Sequence, residues 1–238
     1  MKRYLSVFEM IARSSIYKVL LILVGMVAVE AAFFYSTMMH PEGLNIESYI
    51  DQSYYSIIFK IAYILVTLVI VLPGMNIGST QSYTLERLRI KGKRIFWLQA
   101  LYNTLAYMLL WGVQLMVILV SAKMFEKNLP LTAEWSHQTL FLAFYRNDFM
   151  HSILPLEDGP CWWLLGIVII GTAIVTAGFT KQQRDGKFAF ELLLMVVAVL
   201  ISFPRAISYE YLFLIIATVF VIVIMGMRWL LNLEVNES

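Results

Sequence analysis

The chain has 238 residues, 60% of them hydrophobic and 14% charged, with a formal net charge of +2. Soluble domains carry about 25% charged residues, so a water-soluble globule is excluded, and so small a net charge gives no basic surface for nucleic acid. A single cysteine, Cys161, excludes an internal disulfide.

In chain order, residues 1–15 place Tyr4, Leu5, Phe8 and Ile11 on one side of a helical wheel and Lys2, Arg3, Glu9 and Arg13 on the others. That pattern predicts an amphipathic amino-terminal helix lying in the headgroup layer, or a tail leading into the first span. Six apolar stretches follow, at about 16–38, 55–77, 95–122, 161–180, 188–207 and 211–229. Crossing a hydrocarbon core of about 30 Å takes roughly 20 helical residues, so each is read as a transmembrane helix. The expected fold is an all-α integral membrane protein, one domain over 1–238. The first stretch is read as an uncleaved span, because apolar residues continue past Glu30 to Met38.

The connections set the orientation. With the amino terminus inside, the cytoplasmic segments hold Lys2, Arg3, Arg13, Lys18, Arg87, Arg89, Lys91, Lys93, Arg94, Lys181, Arg184, Lys187 and Arg228. The outer segments hold Lys123, Lys127, Arg146 and Arg205. Positive loops stay on the cytoplasmic side, so both termini are expected there, in the plasma membrane. Residues 39–54 form a short acidic outer loop. Residues 123–160 form a longer outer segment in which Trp135, Phe141, Phe144 and Phe149 recur at roughly helical spacing, as in a helix on the outer leaflet or capping the bundle.

Inside the spans, Glu30 and Lys60 are the only charges well within the membrane, at similar depths on the first two helices. A lone charge there costs several kcal/mol unless paired or wet. Two readings stand: a structural role, as an ion pair between these helices or with Lys60 snorkelling to the interface, or part of a substrate pathway. Asn103 and Gln114 in the third span either bond across helices or line a polar cavity. Pro73 and Gly74 mark a hinge, or the end of the second span. Gly166, Gly171, Ala173 and Ala177 suggest close helix packing or a dimer face.

Between the second and third spans lies SYTLERLRIKGKRIF. As a short helix over 83–94 it sets Leu85 and Leu88 on one face, with Glu86 three residues before Arg89, a favourable spacing for opposite charges. Such a helix presents a small apolar face and a charged rim to the cytoplasm; a basic loop on anionic headgroups is the other reading. Tyr83, Thr84, Leu85, Glu86, Arg87, Leu88 and Arg89, in this position, resemble the coupling helix of type-2 ABC transporter permeases, where Gly-Thr-Leu-Glu-(Arg/Gln)-Leu docks into the ATPase subunit. Tyr83 stands where that family has glycine. The large outer segment lies between the third and fourth spans rather than the fifth and sixth, so the family's outer gate is not carried over.

What the resemblance implies is the permease subunit of an ABC exporter for an amphipathic substrate such as a peptide, antibiotic or lipid. It would pair with a second copy or a related permease, and with a separate ATPase that holds ATP and Mg2+. The alternatives are a non-transporting immunity or sensor subunit and an ion-coupled secondary transporter using Glu30 and Lys60. No catalytic or metal-binding motif accompanies His40, His137 or His151, so no enzyme is expected in this chain.

Overall fold

A computed structural model describes residues 2–39, 45–72, 92–128, 137–156, 159–184, 190–202 and 216–225. Among these every regular element is a helix: α1 (Lys2–Met38), α2 (Ile46–Gln52), α3 (Tyr55–Val71), α4 (Gly92–Asn128), α5 (His137–Arg146), α6 (Asp148–Ile153), α7 (Gly159–Arg184) and α8 (Glu191–Ser202), then α9 (Ile216–Met225). Three helices are long and apolar enough to cross a membrane, and four if α2 and α3, bent by 48°, count as one span. In α8 and α9 the described apolar segments are shorter than a span.

Four long helices make the bundle. α4 lies at its centre, packed against α1, α3 and α7, and α8 packs on α7. With 37 residues, α4 is about 55 Å long at 1.5 Å per residue, well beyond a hydrocarbon core of about 30 Å. Its buried face repeats at helical spacing through Ala106, Tyr107, Leu110, Gln114, Ile118 and Ser121. The opposite face, Leu101, Leu105, Met108 and Met116, is exposed and apolar, which suits a helix whose solvent is lipid.

The amino-terminal segment is not a separate interfacial helix. α1 runs unbroken from Lys2 to Met38. Ser14 and Ser15 fall where a break was expected, yet each hydroxyl bonds back to the Ile11 carbonyl, at 2.7 and 3.5 Å, and no glycine or proline stands between Ile11 and Lys18. Val7 is buried and Phe8 meets Tyr102 edge-on, with ring centroids 6.1 Å apart, so this segment is held by α4.

The acidic loop before α3 contains α2, joined to α3 through Ser53 and Tyr54. Tyr54 has φ 57°, a left-handed conformation uncommon for a tyrosine. Its ring packs edge-on against Phe33 and its N–H donates to the Asp51 carbonyl, which together hold the bend.

Two contact sets define the ends of the bundle. At one, Ser15 donates to the Tyr102 hydroxyl (2.8 Å), and a Cβ on Gly92 would come within 3.0 Å of Lys181 Nζ. The start of α1, the start of α4 and the end of α7 therefore meet there, with Lys18, Lys93, Arg94 and Lys181. At the other end Ser53 donates to Thr37 (3.2 Å) and Asn128 Nδ2 reaches Met38 Sδ (3.6 Å). α1 and α4 point the same way, and α3 and α7 return.

The described part of the aromatic segment, residues 137–156, folds as α5 and α6, and α6 enters the bundle. Asn147 joins them: its Oδ1 accepts the Met150 N–H (2.9 Å), capping α6, while its Nδ2 donates to Asp51 Oδ1 (2.8 Å) and the Glu47 carbonyl (3.4 Å) on α2. Phe149, Met150 and Ile153 are buried, with Phe149 5.9 Å from Phe59 of α3. Trp111 Nε1 donates to the Ile153 carbonyl at 2.8 Å. Trp111 stands 17 residues before Asn128, about 26 Å along α4, so α6 descends well below the end of that helix.

Candidate functional site

The polar side chains of the bundle core form two groups. The first is a ladder of hydroxyls between α3, α4 and α7. Tyr63 donates to Thr172 (2.7 Å), Thr67 shares a bond with the Tyr107 hydroxyl (2.9 Å), and the two tyrosine rings stack with centroids 4.9 Å apart. Asn103 Nδ2 donates to Thr176 Oγ1 (2.9 Å) and the Ala173 carbonyl (3.3 Å). Thr67, Thr172 and Thr176 also bond back to their own helices, so each hydroxyl serves local and interhelical needs together. Asn103 is thus a cross-helix bond between α4 and α7.

The second group is different in kind. Glu30, 0% exposed on α1, faces Gln114, 0% exposed on α4. Neither Glu30 oxygen has a hydrogen-bond partner, and neither Gln114 side-chain atom has one. The two lie close enough to interact but without hydrogen-bond geometry. Just beyond, the Tyr55 hydroxyl bonds Ser121 at 2.6 Å and lies within electrostatic reach of Glu30. A carboxyl and an amide left unpartnered in a bundle core cost free energy, so this pair is a candidate site rather than a structural brace.

Lys60 is not its partner. It is half-buried at the flank of the exposed stripe of Ile57 and Ile61, and it does not pair with Glu30. Equal depth placed the two charges at one level; the rotation of α3 about its axis carries Lys60 away.

The other sequence-marked positions separate. Gly171, Ala173 and Ala177 serve packing within the chain: both alanines are 0% exposed, and a Cβ on Gly171 would stand 2.9 Å from Val223 Cγ2 and 3.3 Å from Met195 Cε. They make no dimer face. Tyr83, Thr84, Leu85, Glu86, Arg87, Leu88 and Arg89, with Pro73 and Gly74, lie outside the described residues. Among the described residues no three histidine, cysteine, aspartate or glutamate side chains gather as a metal site.

The hydroxyl ladder was missed in the sequence because tyrosine and threonine suit a span by hydropathy. Its signal is a four-residue interval, Tyr55, Phe59, Tyr63, Thr67 on α3 and Thr172, Thr176, Thr180 on α7, which stacks side chains on one helical face.

Comparisons with protein-family models, with curated proteins and with solved structures find no match.

Proposed function

We propose that the chain is the membrane-spanning permease subunit of an ATP-driven ABC exporter. The observation that carries this reading is the TLERLR stretch, residues 84–89, which falls in the sequence between α3 and α4. α4 begins only three residues after Arg89, beside the end of α7. A push on this elbow would enter two neighbouring helices at once. The positive end faces the cytoplasm in this reading, in the plasma membrane, with both termini inside.

The partner is a separate ATPase that binds ATP and Mg2+, with a second copy or a related permease completing the transporter. Closure of the ATPase pair favours one bundle arrangement over another by differential contact at the elbow. Tilting α3 against α4 shears the Thr67–Tyr107 contact, and α7 follows through Thr172 and Thr176. The motion ends at Glu30 and Gln114, whose buried side-chain oxygens and nitrogen lack hydrogen-bond partners.

Charge reversal at Glu86 and Arg87 tests the reading. The double variant E86K/R87E inserts normally but loses the co-purifying ATPase, or keeps it with transport lowered at least tenfold. Unchanged ATPase recovery together with unchanged transport rejects it.

The unpartnered Glu30 carboxyl favours a second reading, an ion-coupled secondary transporter. Transport that survives ATP depletion and stops with a protonophore selects that reading; the reverse pattern selects the ABC exporter.

A further inference from the structure

A cavity of about 590 Å3 lies between α1 and α4. Val27, Ala31 and Phe34 line it from α1, and Gly112, Met116 and Ser121 from α4. Met116 at its lip is 63% exposed, so the groove opens sideways onto the lipid-facing surface. The volume falls within the range of about 300–1,000 Å3 usual for small-molecule sites. Methionines, which bend to fit irregular apolar shapes, recur along its α4 side at Met108, Met116 and Met124.

Glu30 and Gln114 sit one position along their helices from the lining residues Ala31 and Val113. Ser121 connects the two regions: it lines the groove, and its hydroxyl bonds Tyr55, which lies within electrostatic reach of Glu30.

We propose that this groove and the Glu30 carboxyl behind it form a binding site for a lipophilic amine. The apolar body fills the groove, and the ammonium passes Ser121 and Tyr55 to rest on the Glu30 carboxylate and the Gln114 carbonyl. This names the substrate class of the exporter and rests on that reading for what becomes of the bound amine.

Charge and hydrogen-bond arithmetic select the occupant. A primary ammonium brings three N–H donors and one positive charge. The site offers three acceptors, the two Glu30 oxygens and Gln114 Oε1, against one amide donor, Gln114 Nε2, and among the described residues no cationic side chain pairs with the Glu30 carboxyl. A lipid acyl chain or an apolar helix of a second copy would fill the groove yet bring no positive charge to the Glu30 carboxyl. An anionic amphiphile would add a second negative charge to the same buried place.

The test is saturable binding of tritiated dodecylamine to the purified full chain in phosphatidylcholine nanodiscs, without ATPase, with dodecanol as the uncharged competitor. The expected result is saturable amine binding that dodecanol displaces at least tenfold less well than unlabelled amine. Glu30→Gln weakens amine binding at least tenfold and leaves the alcohol unchanged. Gly112→Leu weakens both, since a Cβ there meets no atom within 4 Å and the longer side chain grows into the groove. If Glu30→Gln fails to fold, Gln114→Leu reads the same ammonium contact with the carboxyl intact. Amine binding unaltered by these variants, or equal competition by the alcohol, overturns the proposal and leaves a groove filled by lipid or a second copy. Because no ATPase is present, loss of amine binding and loss of ATPase recovery are separate outcomes.

Discussion

Glu30 and Tyr63 show how differently two buried polar side chains can stand in one bundle. The Tyr63 hydroxyl donates to Thr172, which keeps its own bond to the Val168 carbonyl. Tyr63→Phe therefore leaves Thr172 satisfied and costs one interhelical bond, about 0.5–1.5 kcal/mol. It should appear as a small fall in the SDS-denaturation midpoint. Glu30 has less to lose, because it faces the Gln114 amide without a bond of hydrogen-bond geometry. Glu30→Met should raise the same midpoint by the relief of an unsatisfied buried group, about 1–3 kcal/mol, while abolishing amine binding. A fall of similar size would mark Glu30 as a brace. The sign of that shift separates a residue kept for ligand from one kept for the fold.

At the scale of helices, small residues on α7 divide by what surrounds them. Gly171 meets side chains of α8 and α9 at less than ordinary contact distance, whereas a Cβ on Gly166 meets nothing within 4 Å. Gly171→Ala should destabilise by about 1–3 kcal/mol through overpacking. Gly166→Ala should stabilise by about 0.5–1 kcal/mol, the helix preference of alanine over glycine. Paired unfolding midpoints read both. From sequence, the two glycines look alike, five residues apart in one apolar run. The difference between them comes from neighbours far along the chain. The same limit applies to Glu30. Its depth was legible because an acidic residue interrupts an apolar run, but its neighbour was not, since depth follows from helical rise and facing follows from rotation in the packed bundle. Gln114 and Glu30 are 84 positions apart, and no local pattern links them. α6 was obscured for a related reason: Phe149, Met150 and Ile153 suit a helix on a membrane surface as well as one inserted beside Trp111. α1, α4 and α7 were plain, because long unbroken apolar periodicity has few other solutions in lipid.

For the molecule as a whole, the two ends of the bundle differ in charge. Lys18, Lys93, Arg94 and Lys181 gather where α1 and α4 begin, while Glu47 and Asp51 lie on α2 beside Asn147 at the other. That polarity links the parts of the exporter reading: the elbow receives force at the basic end, the hydroxyl ladder carries it across, and the unpartnered carboxyl lies towards the far end beside a groove open to lipid. All of it requires residues 84–89 to stand in the cytosol. The most direct measurement places a single cysteine at position 86 in a Cys161→Ser background and exposes intact cells to a membrane-impermeant maleimide. The expected result is no labelling until the membrane is opened, then full labelling from the cytosolic side. Labelling of position 86 from outside intact cells would invert the topology and contradict the coupling role of the elbow.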